Sequence, residues 1–507
     1  MQHDDRRAAL GRAARPVSPA LLRALVAQNG RLAPSPAREA NLAALAAGAP
    51  AVVTGQQVGL FLGPLFTLYK AASALRVARA LTVESGRPVV PVFWLQTEDH
   101  DLPEIATIQV ARPQGEPLAL SLPASASDRI SVAHATLPGE VVALLDALCA
   151  EIGHLPHGTA HCERLARHYR AGAGWAEAFG GLLAELFADE GLVLLDPRDP
   201  AIAALAAPVH ARALREAAPI AAALEARAAE LAAAGRGPQV PIRAGAPLSF
   251  FHPHGATGPR YRLEPEGTGY ATAGGGTRHT VEELLAALES DPLSFSSSAL
   301  LRPIVQDTLL PTAAYVGGPA EVAYFAQLGP LYDVFGLPLP LVVPRARFRV
   351  VDEKTGQLLD RLGLAPADAE RPEGELLSRL QGGADAVRAS AEIETALASP
   401  FEQALRALAP RLEAAGQGLD AAIEKTAASV RGSVQKLAAK YQAALLHRDA
   451  ARVEELRRVQ RMLHPGGIPQ ERVFGLATFA ARFGEREFIA RVLDTIDPFD
   501  PTLKDIR

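Results

Sequence analysis

The sequence predicts an α/β protein with a parallel-sheet core, followed by a long helical coiled coil. Short apolar segments at 51–53, 87–95 and 191–197 indicate buried strands that alternate with helical segments. The helical pattern over 64–81 joins the first two strands, and a strand–helix–strand unit requires parallel strands. From about 375 to 463 strand signals disappear and apolar residues recur every seven positions, which is typical of a coiled coil.

The composition limits the class of protein. The chain has 507 residues, 49% hydrophobic, and a formal net charge of -5, with acidic and basic residues mixed along it. This length allows a large core and more than one domain. Since no long basic run is present, we expect no nucleic-acid partner. The N-terminal residues lack the apolar core of a signal peptide and no apolar run of about 18 residues occurs, so we expect neither secretion nor a membrane span.

The cysteine content favours a reducing compartment. Two cysteines, Cys149 and Cys162, are too few for a disulfide framework, and we expect a cytoplasmic protein. Three histidines, His154, His157 and His161, lie between them. A zinc site needs four ligands, usually with paired cysteines, so this cluster gives no strong zinc signal.

The remaining elements continue the alternation of strands and helices. In chain order they are helices broken by Pro16, Pro34 and Pro36 over 1–48, a strand over 106–111, an irregular excursion over 112–135, helices at about 138–152 and 159–189, an Ala-rich helix at about 199–234, a β-rich insertion over 236–280, a strand–turn–helix over 312–328, and one or two strands over 337–351. We therefore predict a core over 1–374 with insertions at about 112–175 and 236–280. A coiled-coil domain over 375–463 follows, and 464–507 packs back on the core.

The coiled coil is predicted from heptad spacing. Leu405, Leu412 and Leu419 are seven residues apart, and the same spacing separates Val430 from Leu437. Val434 and Tyr441 repeat it, while Gly416, Gly418 and Gly432 weaken the pattern locally. An ordinary helical bundle is the alternative.

The turn after the first strand, "TGQQVGLFLGP" over 54–64, carries three glycines and two glutamines. Glycines let the backbone approach a ligand, and a helix beginning near Pro64 would point free N–H groups towards an anion. The spacing matches neither the dinucleotide fingerprint nor the phosphate loop. A purely structural turn is the alternative. Because ligands bind at the carboxyl edge of such sheets, we interpret this turn as a substrate site formed by Thr54, Gly55, Gln56 and Gln57.

The second strand is followed at the same edge by four ionisable residues, Glu98, Asp99, His100 and Asp101. Such a group can shift its members' pKa values and supply a general base, or it can hold Mg²⁺. The alternative is a solvated acidic turn. His100 is the best candidate for the base or for a hydrogen bond to substrate.

Three further segments are candidates. Gly317 and Gly318 precede a predicted helix start, and Glu321 in its first turn could bind an amine. Arg345 and Arg347 follow a strand and could neutralise phosphate or carboxylate, although alternating arginines are also common on surfaces. Residues 250–262, "FFHPHGATGPRYR", suit either a substrate loop or an exposed hairpin.

Taken together, several segments resemble the signatures of the bacillithiol biosynthesis cysteine-adding enzymes, the BshC family. In order they are "VVTGQQVGLFLGPLFTLYK", "PVFWLQTEDHDLPEI", "GLVLLDPRDP", "LLRPIVQDTLLPTAAYVGGPAEVAYFAQL", "LPLPLVVPRARF" and "HPGGIPQERV". The resemblance runs from about residue 45 to the C-terminus. It implies a Rossmann-like core similar to class I nucleotidyltransferases and a coiled coil that supports a homodimer. It also implies addition of L-cysteine to glucosaminyl-malate by amide bond formation.

The resemblance also implies roles for individual residues. It puts Glu98, Asp99, His100, Asp101, Thr54, Gly55, Gln56, Gln57, Gly317, Gly318 and Glu321 at the active-site edge. We predict that the first four are catalytic and that the others, together with Arg345, bind substrate. The resemblance also implies a pocket for ATP or ADP between the core and the coiled coil. The candidate residues for this pocket are His464, Gln470, Glu471 and Arg472.

The sequence departs from class I ligases at two places. Residues 65–68 lack the His-x-Gly-His motif, and no Lys-Met-Ser-Lys-Ser-like loop follows the last strand. Two alternatives to ATP-dependent cysteine ligation therefore stay open. One is a ligand-binding scaffold with a degenerate nucleotidyltransferase core, and the other is an amide ligase for a different amino-sugar acceptor.

Overall fold

The computed structural model divides into two compact units. The first comprises residues 1–112, 117–348 and 471–506, and the second comprises 113–116, 349–470 and 507. The structure describes residues 2–112, 116–124, 129–274, 276–380, 383–413, 419–446 and 450–507.

The α-helices of the described residues are numbered along the chain. They are α1 His3–Ala13, α2 Pro19–Asn29, α3 Pro36–Ala46, α4 Phe66–Ser85, α5 Leu102–Ile105, α6 Val141–Ile152, α7 Gly158–His168, α8 Trp175–Leu186, α9 Pro200–Arg215, α10 Ala217–Ala233, α11 Val281–Ser290, α12 Arg302–Leu309, α13 Pro319–Phe325, α14 Gly329–Phe335, α15 Glu353–Leu362, α16 Glu373–Leu380, α17 Gly383–Glu413, α18 Leu419–Leu446, α19 Ala450–Leu463, α20 Gln470–Val473, α21 Ala477–Phe483 and α22 Glu485–Thr495.

The β-strands are numbered in the same way. They are β1 Ala51–Gln56, β2 Val90–Leu95, β3 Thr107–Val110, β4 Leu118–Ser121, β5 Val193–Leu195, β6 Ser249–Phe251, β7 Tyr261–Glu266, β8 Gly269–Thr272, β9 Arg278–His279, β10 Phe295–Ser297, β11 Thr312–Gly317, β12 Leu341–Pro344, β13 Arg347–Val350 and β14 Leu503–Ile506.

A five-stranded parallel sheet forms the centre of the first unit, in the order β12-β11-β1-β2-β5. Strand β1 is central, with Val53 opposite Val92 on one side and Tyr315 on the other. Its strands are short runs of buried residues, as expected where helices cover both faces. The predicted parallel α/β core is confirmed, and the carboxyl ends of β1, β2 and β11 meet at one edge.

The turn after β1 is partly a packing element. Val58, Leu60, Phe61 and Leu62 are buried, and the indole N–H of Trp175 donates to the Val58 carbonyl at 2.5 Å. Helix α4 begins at Phe66, two residues later than predicted. The Leu65 N–H, at the helix start, is satisfied by the Phe474 carbonyl at 2.8 Å, so it is not available to an anion.

A close approach explains the glycine that ends β1. A Cβ atom at Gly55 would lie 2.8 Å from the carbonyl oxygen of Trp94 on β2. Such a contact is not tolerated without moving one of the two strands, so this position requires glycine for packing between strands.

Three predicted elements differ from the structure. The strand predicted over 106–111 forms as β3, but it pairs antiparallel with β4 outside the central sheet. The helix predicted over 159–189 is two helices, α7 and α8, separated by a segment that contains Gly172 at φ +79°. The Ala-rich helix breaks at Glu216 into α9 and α10.

Within the segment predicted as a β-rich insertion, β6, β7, β8 and β9 form an antiparallel sheet with the later strand β10, in the order β10-β6-β7-β8-β9. A separate apolar cluster supports it, in which Leu263 and Phe295 pack with Leu214 of α9 and Leu284 of α11. Strand β10, which was not predicted, contributes Ser297 to the neighbourhood of the central sheet's carboxyl edge.

The second unit is helical. Helices α17 and α18 pack against each other, and Arg431 lies 3.7 Å from Glu402 across the pair. Gly432 lies within α18, whereas Gly416 and Gly418 lie outside the described residues.

The two cysteines form a disulfide between α6 and α7, with Cα atoms 5.9 Å apart. The sequence argument for a reducing compartment did not anticipate this bridge. His161, beside it, forms a buried 2.5 Å contact with Glu485.

Candidate functional site

A cavity of about 470 Å³ in the first unit opens at the carboxyl edge of the central sheet. Its lining includes residues from the ends of β1, β2 and β11 and from the antiparallel sheet. Of the residues predicted to act in catalysis or binding, those that line it are Gly55, Gln56, Gln57, Asp99, His100, Gly318, Glu321, Arg345 and Arg472.

Lys70 lines this cavity and connects several of its residues, although the sequence pattern did not indicate this role. Its ammonium group donates to the Gly55 carbonyl and to Gln56 Oε1, each at 2.8 Å, and forms an ion pair with Glu321. Burial lowers the pKa of Lys70, while Glu321 opposes this shift. The lysine joins the ends of β1 and β11 at the point where both face the cavity.

Glu321, predicted to bind an amine, lines the cavity and pairs with Lys70. Its two oxygens accept hydrogen bonds from the Tyr315 hydroxyl at 2.5 Å and the Gly318 N–H at 2.7 Å, besides pairing with Lys70. Burial would raise the pKa of this carboxyl, but Lys70 and these donors hold it below its ordinary value. Within the chain, Glu321 thus has a lysine as its amine partner, and the Gly318 N–H donates to the same carboxylate.

Asp99 and His100 form a pair at the cavity wall. Asp99 Oδ1 accepts the His100 N–H at 2.7 Å and lies 3.5 Å from His100 Nδ1, while Gln57 donates to Asp99 Oδ2 at 2.9 Å. Burial alone would raise the pKa of Asp99. Its contacts with His100, the charge of Arg260 and the Gln57 amide outweigh burial and hold the pKa well below its ordinary value.

Consequently Asp99 is ionised near neutral pH and is too weak a base to take a proton itself. His100 Nδ1 has no hydrogen-bond partner in the described part of the chain, although the atom is buried. An ionised carboxylate beside an imidazole stabilises the imidazolium, so the pair is suited to proton transfer through His100.

Four of the residues predicted for catalysis or substrate binding lie outside the cavity lining. Glu98 is buried and accepts hydrogen bonds from the Ser297 N–H, at 3.1 Å, and from its hydroxyl. Asp101 is exposed and caps α5 by accepting the Glu104 N–H. The Thr54 hydroxyl donates to the Val316 carbonyl at 2.8 Å, and the Gly317 carbonyl accepts the Arg345 N–H. These contacts stabilise the site's framework.

Arg345 forms a buried bidentate ion pair with Glu471, at 2.9 and 2.6 Å. Its fork is therefore already occupied by a carboxylate of the same chain, although the side chain lines the cavity. Arg347 lies 3.7 Å from the same carboxylate. Glu471, predicted to bind nucleotide, therefore has both arginines as partners within the chain.

Of the four residues predicted for the nucleotide pocket, two belong to each unit. Gln470 is buried in the second unit. Its side-chain oxygen accepts the Val350 N–H, and its side-chain nitrogen donates to the carbonyls of Val350 and Met462. Arg472 is exposed at the first cavity. His464 lines a different cavity of about 660 Å³ in the second unit, together with Arg371, Arg457 and Arg461.

The segment 250–262 forms an antiparallel hairpin between β6 and β7, and it also contributes to the first cavity. Phe250 and Arg260 line it, and the Arg260 guanidinium lies over the Phe250 ring at 3.9 Å. Arg260 also donates to the Glu98 carbonyl at 2.6 Å. The paired aromatic and basic residues in this segment were the sequence signal for its role.

Arg302 and Tyr324 were missed as well. Arg302 begins α12 and Tyr324 lies in α13, so both occur inside segments whose pattern indicates helix packing.

The described residues contain no group of three His, Cys, Asp or Glu side chains arranged to hold a metal ion. Among the helices of the same residues, none combines the length and apolarity needed to cross a bilayer.

The fold and this site define the class: a Rossmann-like domain with an edge cavity, joined to a C-terminal coiled-coil domain. Residues 2–346 match the family described as "Bacillithiol biosynthesis BshC, N-terminal Rossmann-like domain". Residues 348–506 match its "C-terminal coiled-coil domain". The chain belongs to the bacillithiol biosynthesis BshC family.

Individual relatives agree with the family match. The chain is similar to proteins named "Putative cysteine ligase BshC" from three bacteria. With the Koribacter versatilis protein it shares 38% identity over 474 residues, which is 91% of this chain and 85% of the relative. With the Salinibacter ruber protein the identity is 34%, over 85% of this chain and 78% of the relative. With the Solibacter usitatus protein it is 33%, over 89% and 83%.

Proposed function

We propose that this chain is a cysteine ligase of bacillithiol biosynthesis, which joins the carboxyl group of L-cysteine to the amine of glucosaminyl-malate. The family supports this function, and so do relatives that carry the ligase name. The structural observation that supports it most is the His100–Asp99 pair at a cavity on the carboxyl edge of the sheet.

Amide formation needs an activated carboxyl group, because a carboxylate is a poor electrophile. ATP, when bound, would supply the phosphoryl or adenylyl group that turns a carboxylate oxygen into a leaving group. As the amine nitrogen forms its bond to the cysteine carbonyl carbon, it loses a proton, and His100 would accept that proton. Ionised Asp99 would stabilise the resulting imidazolium.

We propose that a nucleotide binds in the second cavity, which His464 lines, rather than in the first. His464 Nδ1 is buried there without a hydrogen-bond partner among the described residues, and Arg457 and Arg461 line the same space. Arginine forks suit phosphate oxygens, although Arg457 already pairs with Glu373 at 2.9 Å. The side chains of the described residues do not form an Mg²⁺ site on their own.

We further propose that the protein is a cytoplasmic homodimer formed through its coiled coil, with domains over 1–374, 375–463 and 464–507. The heptad pattern and exposed apolar residues on α17 and α18 support the dimer. The small polar substrates support the location.

The function is tested by supplying purified protein with L-cysteine, glucosaminyl-malate and ATP, and by measuring bacillithiol with mass spectrometry. The wild-type protein should form it, and His100→Ala should lower kcat by about 10²-fold or more, because a general base contributes 10²–10⁴-fold. His154→Ala, at an exposed histidine, is the matched control and should leave kcat unchanged.

Wild-type turnover with an undiminished rate in His100→Ala would overturn the role of His100. Absence of bacillithiol with the wild-type protein, together with normal thiol content in a deletion strain, would favour a ligand-binding scaffold. A different thiol missing from that strain would indicate another amino-sugar acceptor.

A further inference from the structure

The charges that line the first cavity are not balanced one to one. Its basic side chains are Lys70, Arg260, Arg302, Arg345 and Arg472. Lys70 pairs with Glu321 and Arg345 with Glu471, while Arg260 lies 3.6 Å from Asp99. In the described part of the chain, Arg302 and Arg472 have no carboxylate within ion-pair distance. Of these two, Arg472 is exposed and Arg302 is 5% exposed.

Arg302 is held in place by neutral groups. Its guanidinium donates to Gln306 Oε1 at 2.8 Å and to the Tyr324 hydroxyl at 2.9 Å, and it lies over the Tyr315 ring at 5.0 Å. Burial alone would lower its pKa, but Tyr315 and Tyr324 raise it above the ordinary value. The group therefore keeps its charge in a fixed orientation.

Glu321, the carboxylate whose charge acts on Arg302, does not form an ion pair with it. Glu321 acts on Arg302 through space, but its oxygens bond Lys70, the Tyr315 hydroxyl and the Gly318 N–H. A buried charge without a paired counter-charge is costly, and a guanidinium has five N–H donors, of which two are used by Gln306 and Tyr324. The cavity is the open space from which a counter-charge can reach it.

We propose that Arg302 is a specificity-determining residue that binds a carboxylate of the acceptor's malate half. This inference rests on the proposed function. The cysteine carboxylate loses its charge when it is activated, whereas the acceptor's carboxylates stay charged throughout the reaction. A permanently charged guanidinium held in a fixed orientation suits the acceptor's carboxylates, which keep their charge. Arg472, exposed on the same cavity, supplies a second cation for an acceptor that carries two carboxylates.

The test measures binding without turnover, by titration calorimetry. Wild-type protein is titrated with glucosaminyl-malate and with its dimethyl ester, in which both carboxylates are neutral. The diacid should bind about tenfold to a hundredfold more tightly, and Arg302→Gln should lose about that factor for the diacid while changing little for the ester. Arg302→Lys, which keeps the charge but not the fork, should fall between. Arg87→Gln, at an exposed arginine, should match wild type.

Wild-type affinity for the diacid in Arg302→Gln would overturn the proposal, as would equal binding of diacid and ester by the wild-type protein. Thermal unfolding of each variant shows whether it is folded. If Arg302→Gln is not folded, Arg302→Lys replaces it, and an unchanged affinity in that variant overturns the proposal. Diacid binding that depends on Arg302 without any ligation would contradict the proposed function only. Ligation with an unchanged acceptor KM in Arg302→Gln would contradict this inference only.

Discussion

At the scale of single residues, the main result is that two predicted ligand-binding groups are satisfied within the chain. Glu321 pairs with Lys70, and Arg345 with Glu471, both beneath the cavity. Breaking a buried pair on one side is more damaging than replacing both partners, because the remaining charge stays buried without compensation. The two ion pairs therefore help to set the shape of the cavity that their residues line.

Removal of Lys70 alone should expose this dependence. We expect Lys70→Met to lower the free energy of unfolding by about 3 to 5 kcal/mol, since Glu321 is left without its cation. The double variant Lys70→Met/Glu321→Gln should lose less than the sum of the two single changes. Urea unfolding of the four proteins measures the coupling, and additive losses would show that the pair is not a unit.

The candidate site was predictable where its residues follow strands. Asp99, His100 and Gln57 were found because the carboxyl ends of parallel strands share one edge. Lys70, Arg260 and Arg302 were missed because long-range packing brings their side chains to that edge. Lys70 lies on a helix face and Arg302 at the start of another helix, and neither position shows in one sequence which side chain it will meet.

At the scale of elements, the antiparallel sheet is joined to α9 by a buried histidine. His210 Nδ1 lies 2.8 Å from the Ser249 hydroxyl of β6. Burial, with a smaller contribution from Arg198, lowers the pKa of His210 to about 4. The folded protein therefore holds this imidazole neutral at pH values where the unfolded chain, with an ordinary pKa of about 6.5, is already protonated.

Stability should consequently fall as the pH decreases from about 6.5 to about 4, because the unfolded state binds more protons in that window. Over this whole pH window, His210 accounts for a decrease in the free energy of unfolding on the order of 3 kcal/mol. His210→Gln should make the pH dependence shallower, whereas His154→Gln, at an exposed histidine, should not. Urea unfolding at a series of pH values measures both slopes; an unchanged slope in His210→Gln would contradict the assignment.

Elements were predictable from local pattern, but their partners often were not. The apolar runs of β1, β2 and β5 indicated a parallel sheet correctly. Strand β3 has a similar local pattern, yet it pairs with β4, which lay in a segment with weak strand signals. The division of the Ala-rich helix at Glu216 was hidden because high helix propensity extends across the break.

At the scale of the whole molecule, the helical domain presents apolar side chains to solvent. Leu408 on α17 and Leu437 on α18 are 46% and 52% exposed, and Tyr441 continues the face. Exposed apolar residues on a helix are typical of a surface that associates with another helix. They support the proposed homodimer.

Charge on this face should separate the subunits. We expect Leu408→Glu/Leu437→Glu to be monomeric, because each carboxylate would have to be desolvated in the interface. Light scattering coupled to gel filtration should give twice the chain mass for the wild-type protein and one chain mass for the variant. Val83→Glu, at an 85% exposed valine of the first unit, should remain dimeric. A dimeric double variant would assign the interface to another surface.

The ion pair between Arg345 and Glu471 holds together the two places where the chain leaves and re-enters the first unit. The first unit breaks off after residue 348 and resumes at 471, and this pair fastens the chain immediately beside both points. Phe348 adds a hydrogen bond from its N–H to the same carboxylate, at 3.4 Å. The coiled-coil domain is thus an insertion between two clamped ends. Its length can change in evolution by whole heptads while the first unit keeps the same two attachment points.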